Sequence, residues 1–312
     1  MYDGYMGVFT DKKMVLRSGG SGLLLKKSGG EHFGADELLY NKCRGEIDIC
    51  FDSMQNLYVL CQNTFGTISI IKYSDNLWKK IDILTPKSPV YFYRVLKISC
   101  IKNTPHAFFS VKKDGAYILS RVGLDDLSSP AAIGLIKSPL DCFDVINLKS
   151  PKEPLCLCYV SYDGTLFLTF LSQEAHIHSV YPLFKSHDIA DLQCIFKNGI
   201  LHICFVSGMR IFYIKFNTEF KKSEFLLELD SCSEKTPPIL CSDGKDVIIY
   251  NFKSDASTVF RISENKTIEK NILNDKIFFE KITKMKIVSN EGVTCLPCIF
   301  RNRKYEPLSE TM

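Results

Sequence analysis

"GTISIIKYSDNLWKKIDIL", residues 66–84, alternates apolar and polar side chains, breaks at Ser74-Asp75-Asn76, and then alternates again. A period of two is the signature of a strand with one buried face, and Ser-Asp-Asn is turn chemistry, so the stretch predicts a hairpin. "EIDICF" (46–51) and "NLYVLCQ" (56–62) come just before it and extend the hairpin to four consecutive antiparallel strands. The order then repeats. "VLKISCI", "HAFFSVK", "AYILSRV" and "AAIGLI" lie between 95 and 136, and "DCFDVINL", "PLCLCYV", "TLFLTFL" and "HIHSVYPL" between 141 and 183. A fourth set, "ADLQCIF", "ILHICFV", "MRIFYIKF" and "SEFLLEL", runs from 190 to 229, and a fifth, "PPILCS", "DVIIYNF", "STVFRIS" and "TIEKNIL", from 237 to 273.

Four-strand units at a period of roughly 40–50 residues are the repeat of a β-propeller. The blades are expected at about 46–84, 95–137, 141–183, 190–229 and 237–273. Two further strands, "KITKMKIVS" and "VTCLPCIF" in 281–300, combine with "KMVLRS" and "GLLLKKS" in 13–27 to predict a composite sixth blade. Pairing strands from both ends would remove exposed sheet edges, which otherwise template aggregation. A seventh blade from residues 1–45 alone is the rival count, and would leave the C-terminal pair incomplete. The expected organisation is one propeller domain over 1–300, followed by a polar tail or linker at 301–312 that could lead into a longer protein.

"FDSMQNLYVL" (51–60) resembles the strand-turn-strand motif of YVTN- and NHL-like propeller repeats, with Gln55 where that motif has glycine. The resemblance implies a fold superfamily whose members mostly bind things, and it carries over no functional residue. A WD40 propeller is disfavoured, because the chain has a single tryptophan, Trp78, and no Trp-Asp pair per repeat. "SYDGTLF" (161–167) is similar to the Asp box of sialidase-type propellers, but lacks the residue between Asp and Gly and ends in Phe. It reads as a tight turn, like "KKDG" and "SDGK".

With 46% hydrophobic residues the chain can bury a large core. Its net charge of +4 comes from 39 basic and 35 acidic residues spread along its length, without the basic stripe that nucleic acid binding needs. The N-terminal stretch has no apolar h-region, and no run approaches the ~18 apolar residues of a membrane span. Thirteen cysteines without a signal peptide point to reduced thiols and a cytoplasmic setting.

Cys50, Cys100, Cys142, Cys194 and Cys241 fall one per blade, each in a predicted first strand near the axis, where a small buried side chain suits the taper. They are expected to pack rather than to ligate. Cys295-x-x-Cys298 lies in a predicted strand, and His176 and His178 share a face of an outer strand without an evident third ligand. Neither implies a metal or a cofactor, and none is expected. Asp125-Asp126 sits in "GLDDLSSP", which reads as a solvated loop. No phosphate loop, G-x-S-x-G elbow or H-E-x-x-H is present.

Function is therefore sought in the inter-blade connections. "TPKSPVYFYRV" (85–95) places Tyr91, Phe92, Tyr93 and Arg94 between blades one and two, and "LFKSHDI" (183–189) places Phe184, Lys185 and His187 between blades three and four. Aromatic and guanidinium groups dominate binding hot spots, and loops on rigid scaffolds carry function. The leading expectation is a non-catalytic module or scaffold that holds a protein or peptide partner through these residues. The alternative is an enzyme or binder acting on a carbohydrate or small polar metabolite, with Asp188 as a candidate acid-base group.

Overall fold

A computed structural model describes residues 6–9, 14–19, 22–27, 37–41, 43–75, 77–90, 95–138, 142–148, 150–232, 237–242, 245–253, 257–263, 268–273, 282–289, 292–301 and 304–307. Every regular element among them is a β-strand. The chain divides into two compact units, one built on Met14–His187 and the other on Asp188–Met312, with short N-terminal pieces assigned to each.

The first unit contains three four-stranded antiparallel meanders. Blade one comprises Cys43–Phe51, Leu57–Asn63, Ile68–Ser74 and Leu77–Leu84. Blade two comprises Leu96–Ile101, Thr104–Lys113, Ala116–Gly123 and Asp126–Ile136, and blade three Phe143–Asn147, Leu155–Val160, Thr165–Leu171 and Ile177–Lys185. The second unit contains blade four, Ala190–Lys197, Ile200–Ser207, Arg210–Asn217 and Lys222–Ser231, and blade five, Ile239–Ser242, Val247–Asn251, Ser257–Ile262 and Ile268–Leu273. Strands near both chain ends supply the rest. Met14–Gly19, Gly22–Lys27 and Glu37–Tyr40 pair in succession. So do Ile282–Ser289, Gly292–Arg301 and Lys304–Pro307, the last within the stretch read as a tail.

The second strand of each blade is a nearly continuous apolar run, and Leu57–Gln62, Leu155–Val160 and Val247–Asn251 are buried on both faces. Such strands need cover on both sides, and within each unit the adjacent blade supplies part of it. Tyr58, Leu60, Ile68 and Ile70 of blade one pack on Leu96, Ile98, Ala107 and Phe109 of blade two. Cys204, Ile211 and Tyr213 of blade four pack in the same way on Leu240, Ile249 and Phe260 of blade five. The fourth strands alternate exposed and half-buried residues, as edge strands do. Register shifts interrupt the third-to-fourth strand pairing in blades one to four, and such bulges increase twist.

First strands of consecutive blades are tied by side chains. Asp48 accepts the Ile98 N–H at 2.8 Å, and Gln193 accepts the Leu240 N–H at 3.1 Å. Lys97 lies 3.3 Å from Asp144. Cys50, Cys100, Cys194 and Cys241 sit on these first strands, while Cys142 immediately precedes one.

Gln55 has φ 61°, the left-handed conformation that favours glycine. One reading needs correction: the polar segment after Leu124 is not all loop. Asp126–Ile136 is a full outer strand, because an edge strand tolerates Pro130 and exposed polar side chains.

Candidate functional site

In a four-stranded meander, the turn between strands two and three and the connection leaving strand four lie on the same edge. In blade one that turn is held by Asn63, whose Oδ1 accepts the N–H groups of Phe65 and Thr67, both at 2.9 Å. The outgoing connection folds back on it. The Val90 N–H donates to the Phe65 carbonyl at 3.2 Å, and a Cβ on Gly66 would stand 2.6 Å from the Val90 Cβ. Phe65 itself is 52% exposed at the tip.

Blade three repeats the device with different chemistry. Asp163 Oδ1 accepts the Ser161 hydroxyl at 2.5 Å, and its Oδ2 accepts the Thr165 hydroxyl at 3.1 Å and the Lys185 ammonium at 3.2 Å. These bonds, the Ser161 hydroxyl foremost and Lys185 next, hold the Asp163 carboxyl well below the usual range. The Ser186 N–H donates to the Gly164 carbonyl at 3.0 Å, and a Cβ on Gly164 would meet the Ser186 carbonyl oxygen at 2.5 Å. Tyr162, at this tip, is 69% exposed. Within the first unit, two braced turns thus present Phe65 and Tyr162 to solvent.

In the second unit, Asp188 braces the corresponding turn of blade four. Its Oδ1 accepts the Ser207 hydroxyl at 2.6 Å and its Oδ2 accepts the Gly208 N–H at 2.5 Å. The exposed tip residue there is Met209.

Of the residues singled out from sequence, Tyr91, Phe92, Tyr93 and Arg94 lie outside the described residues. Phe184 is half-buried opposite Leu166. Lys185 and His187 are exposed beside the Asp163–Gly164 turn, where Lys185 pairs with Asp163 and the His187 Cα lies 3.2 Å from a Cβ built on Gly164. The structure therefore gathers Lys185 and His187 at the Tyr162 tip. Phe65, Tyr162 and Met209 were missed. The available signal was an apolar residue inside "NTFG", "SYDG" and "SGMR", where turns ordinarily carry polar ones.

The other titratable candidates serve local structure. His178 Nδ1 lies 2.7 Å from Glu153 Oε1, and Asp126 accepts both the N–H and hydroxyl of Ser128. Among the described residues, no group of three or more His, Cys, Asp or Glu is placed to hold a metal ion. Cys295 and Cys298 lie within a strand, Gly292–Arg301. Two of the described histidines, His106 and His202, are buried. His202 Nδ1 lies 2.6 Å from the Tyr213 hydroxyl, and His106 Nδ1 lies 3.3 Å from Arg121. Burial pushes both down to about 4, helped by nearby Lys215 and Lys197 for His202 and by Arg121 for His106.

No protein-family model and no curated protein matches the sequence. Solved structures do match the fold. The BP39L lectin of Burkholderia pseudomallei is 14% identical, with a TM-score of 0.61 over 85% of this chain and 79% of that one. A catalytically inactive virginiamycin B lyase of Staphylococcus aureus, solved with quinupristin, is 13% identical with a TM-score of 0.56, covering 96% and 92%. The Aleuria aurantia lectin, described as a six-bladed β-propeller with a novel mode of fucose recognition, is 10% identical with a TM-score of 0.50, covering 90% and 98%. The chain is an all-β propeller of four-stranded antiparallel blades.

Proposed function

We propose that this protein is a non-catalytic binding module that holds a protein or peptide partner on the edge formed by the second-to-third-strand turns and the inter-blade connections. The observation that carries the reading is the pair Phe65 and Tyr162: large rings more than half exposed, on turns whose backbones are fixed by Asn63, Asp163 and the folded-back connections. A rigid exposed ring loses little entropy on binding, and aromatic anchors dominate hot spots. Tyr91, Phe92, Tyr93 and Arg94 follow Val90 directly in the sequence, and the reading counts them among the anchoring residues. Arg94 and Lys185 are the cationic groups of the two connections and would select acidic partners. The Asp188 carboxylate has both oxygens engaged as a brace, which argues for a structural rather than an acid-base role. Thirteen cysteines suit a reducing, cytoplasmic setting, which this reading assumes.

A second reading, a carbohydrate ligand on this edge, is favoured by the lectins among the structural neighbours, and an exposed tyrosine face also suits the apolar face of a sugar ring. The two are separated by affinity capture and a glycan array, each run with wild type and with the Phe65→Ser/Tyr162→Ser variant. A stoichiometric protein lost with the variant supports the protein partner. Array binding lost with the variant supports the sugar. Capture and array signals unchanged in the variant retire this edge.

A further inference from the structure

The described thiols include one cross-blade pair. Cys50, on Cys43–Phe51 of blade one, and Cys100, on Leu96–Ile101 of blade two, stand with their Sγ atoms 3.5 Å apart, and both are partly exposed. The strands cannot drift past each other there, because contacts on either side keep the same register. Asp48 Oδ2 accepts the Ile98 N–H at 2.8 Å, and Asn103 Oδ1 accepts the Ser53 N–H at 3.1 Å. Asp48 with Ile98, Cys50 with Cys100, and Ser53 with Asn103 each differ by 50 in sequence. A disulfide needs sulfurs about 2.05 Å apart, a closure that side-chain rotation achieves when backbones are already aligned.

A second pair, Cys43 and Cys61 of blade one, provides the contrast. Both are fully buried, and the hydrogen bond to Cys43 together with burial pushes the Cys61 thiol well up. Thiolate character and exposure govern oxidation, so this pair is the inert one.

We propose that Cys50 and Cys100 are a redox modification site, forming a reversible disulfide that staples blade one to blade two when the protein meets a hydroperoxide. One thiolate attacks a peroxide oxygen; the O–O bond breaks, a sulfenic acid forms, and water or an alcohol departs. The second thiolate attacks the sulfenic sulfur, forming S–S and breaking S–O, and hydroxide leaves to take up a proton as water. Two thiols are oxidised by two electrons, the peroxide is reduced, and both thiol protons end on oxygen. A thiol reductant reverses the step by exchange. The inference does not depend on the identity of the partner.

The test treats the reduced full-length chain with hydrogen peroxide, blocks remaining thiols with N-ethylmaleimide, and maps tryptic peptides without reduction. The expected product joins the peptide 45–72, which holds Cys50, to 98–102, which holds Cys100, and disappears on treatment with dithiothreitol. Because 45–72 also contains Cys61, a Cys61→Ser variant is run in parallel and retains the link, whereas Cys50→Ser loses it. Recovery of Cys50 and Cys100 only as separate maleimide adducts or sulfinic acids, in wild type and in Cys61→Ser, would overturn the proposal.

Discussion

Acidification should unfold this propeller partly through His202, and the contribution can be worked out. Its imidazole is buried on Ile200–Ser207 with Nδ1 2.6 Å from the Tyr213 hydroxyl. Burial also raises the Tyr213 pKa, so that hydroxyl keeps its proton and shares a hydrogen bond with the imidazole nitrogen. Lys215 lies directly across the strand pair, Lys197 is nearby, and Glu224 alone offsets them. The folded pKa is about 4, against about 6.5 when unfolded. Between these values the unfolded chain binds more protons, so stability is full above pH 6.5 and falls as the pH drops toward 4. Linkage then gives a loss of about 2 kcal/mol between pH 7 and pH 5 for this residue. His202→Asn places an amide oxygen near the Nδ1 position without a titrating group. Urea unfolding at pH 7 and pH 5 should show wild type losing about 2 kcal/mol more than the variant. An identical pH dependence in the two proteins would refute the neutral buried imidazole.

Three other perturbations have definite outcomes. Gly115 and Gly164 both have positive φ, but a Cβ meets nothing within 4 Å at Gly115 and the Ser186 carbonyl at 2.5 Å at Gly164. Gly115→Ala should cost about 1–2 kcal/mol and Gly164→Ala about 1–3 kcal/mol more in thermal or urea unfolding; equal losses would contradict the packing of the connection on that turn. Asp48→Ala strands the Ile98 N–H in the core and should cost about 1–3 kcal/mol by the same assay, with no change expected in circular dichroism of the folded state. Phe65→Ser and Tyr162→Ser remove exposed rings and should shift unfolding free energy by less than about 0.5 kcal/mol while abolishing partner capture.

The blade pattern was legible because the physics that builds a blade leaves a local trace. Second strands such as Leu155–Val160 are covered on both faces and read as unbroken apolar runs, while outer strands such as Leu77–Leu84 alternate. Prolines misled at the margins. Pro105 sits inside Thr104–Lys113 and Pro130 inside Asp126–Ile136, so both strands begin earlier than their sequence suggests. The tyrosine of "SYDG" was hidden for another reason: the motif identified the turn, and only the folded-back Ser186 reveals that the turn is clamped and Tyr162 displayed. Contacts between residues far apart in sequence, such as Asp48 with Ile98, leave no periodic signal at all.

The binding edge can be tested directly by site-specific photocrosslinking. A benzophenone amino acid is placed at Phe65, at Tyr162, and, as control, at Met54, which is 74% exposed on the first-to-second-strand turn of blade one, at the opposite edge of the meander. Illumination in lysate should yield one common covalent adduct from positions 65 and 162 and none of it from position 54. The same adduct from position 54, with none from 65 and 162, would contradict the assignment of function to this edge.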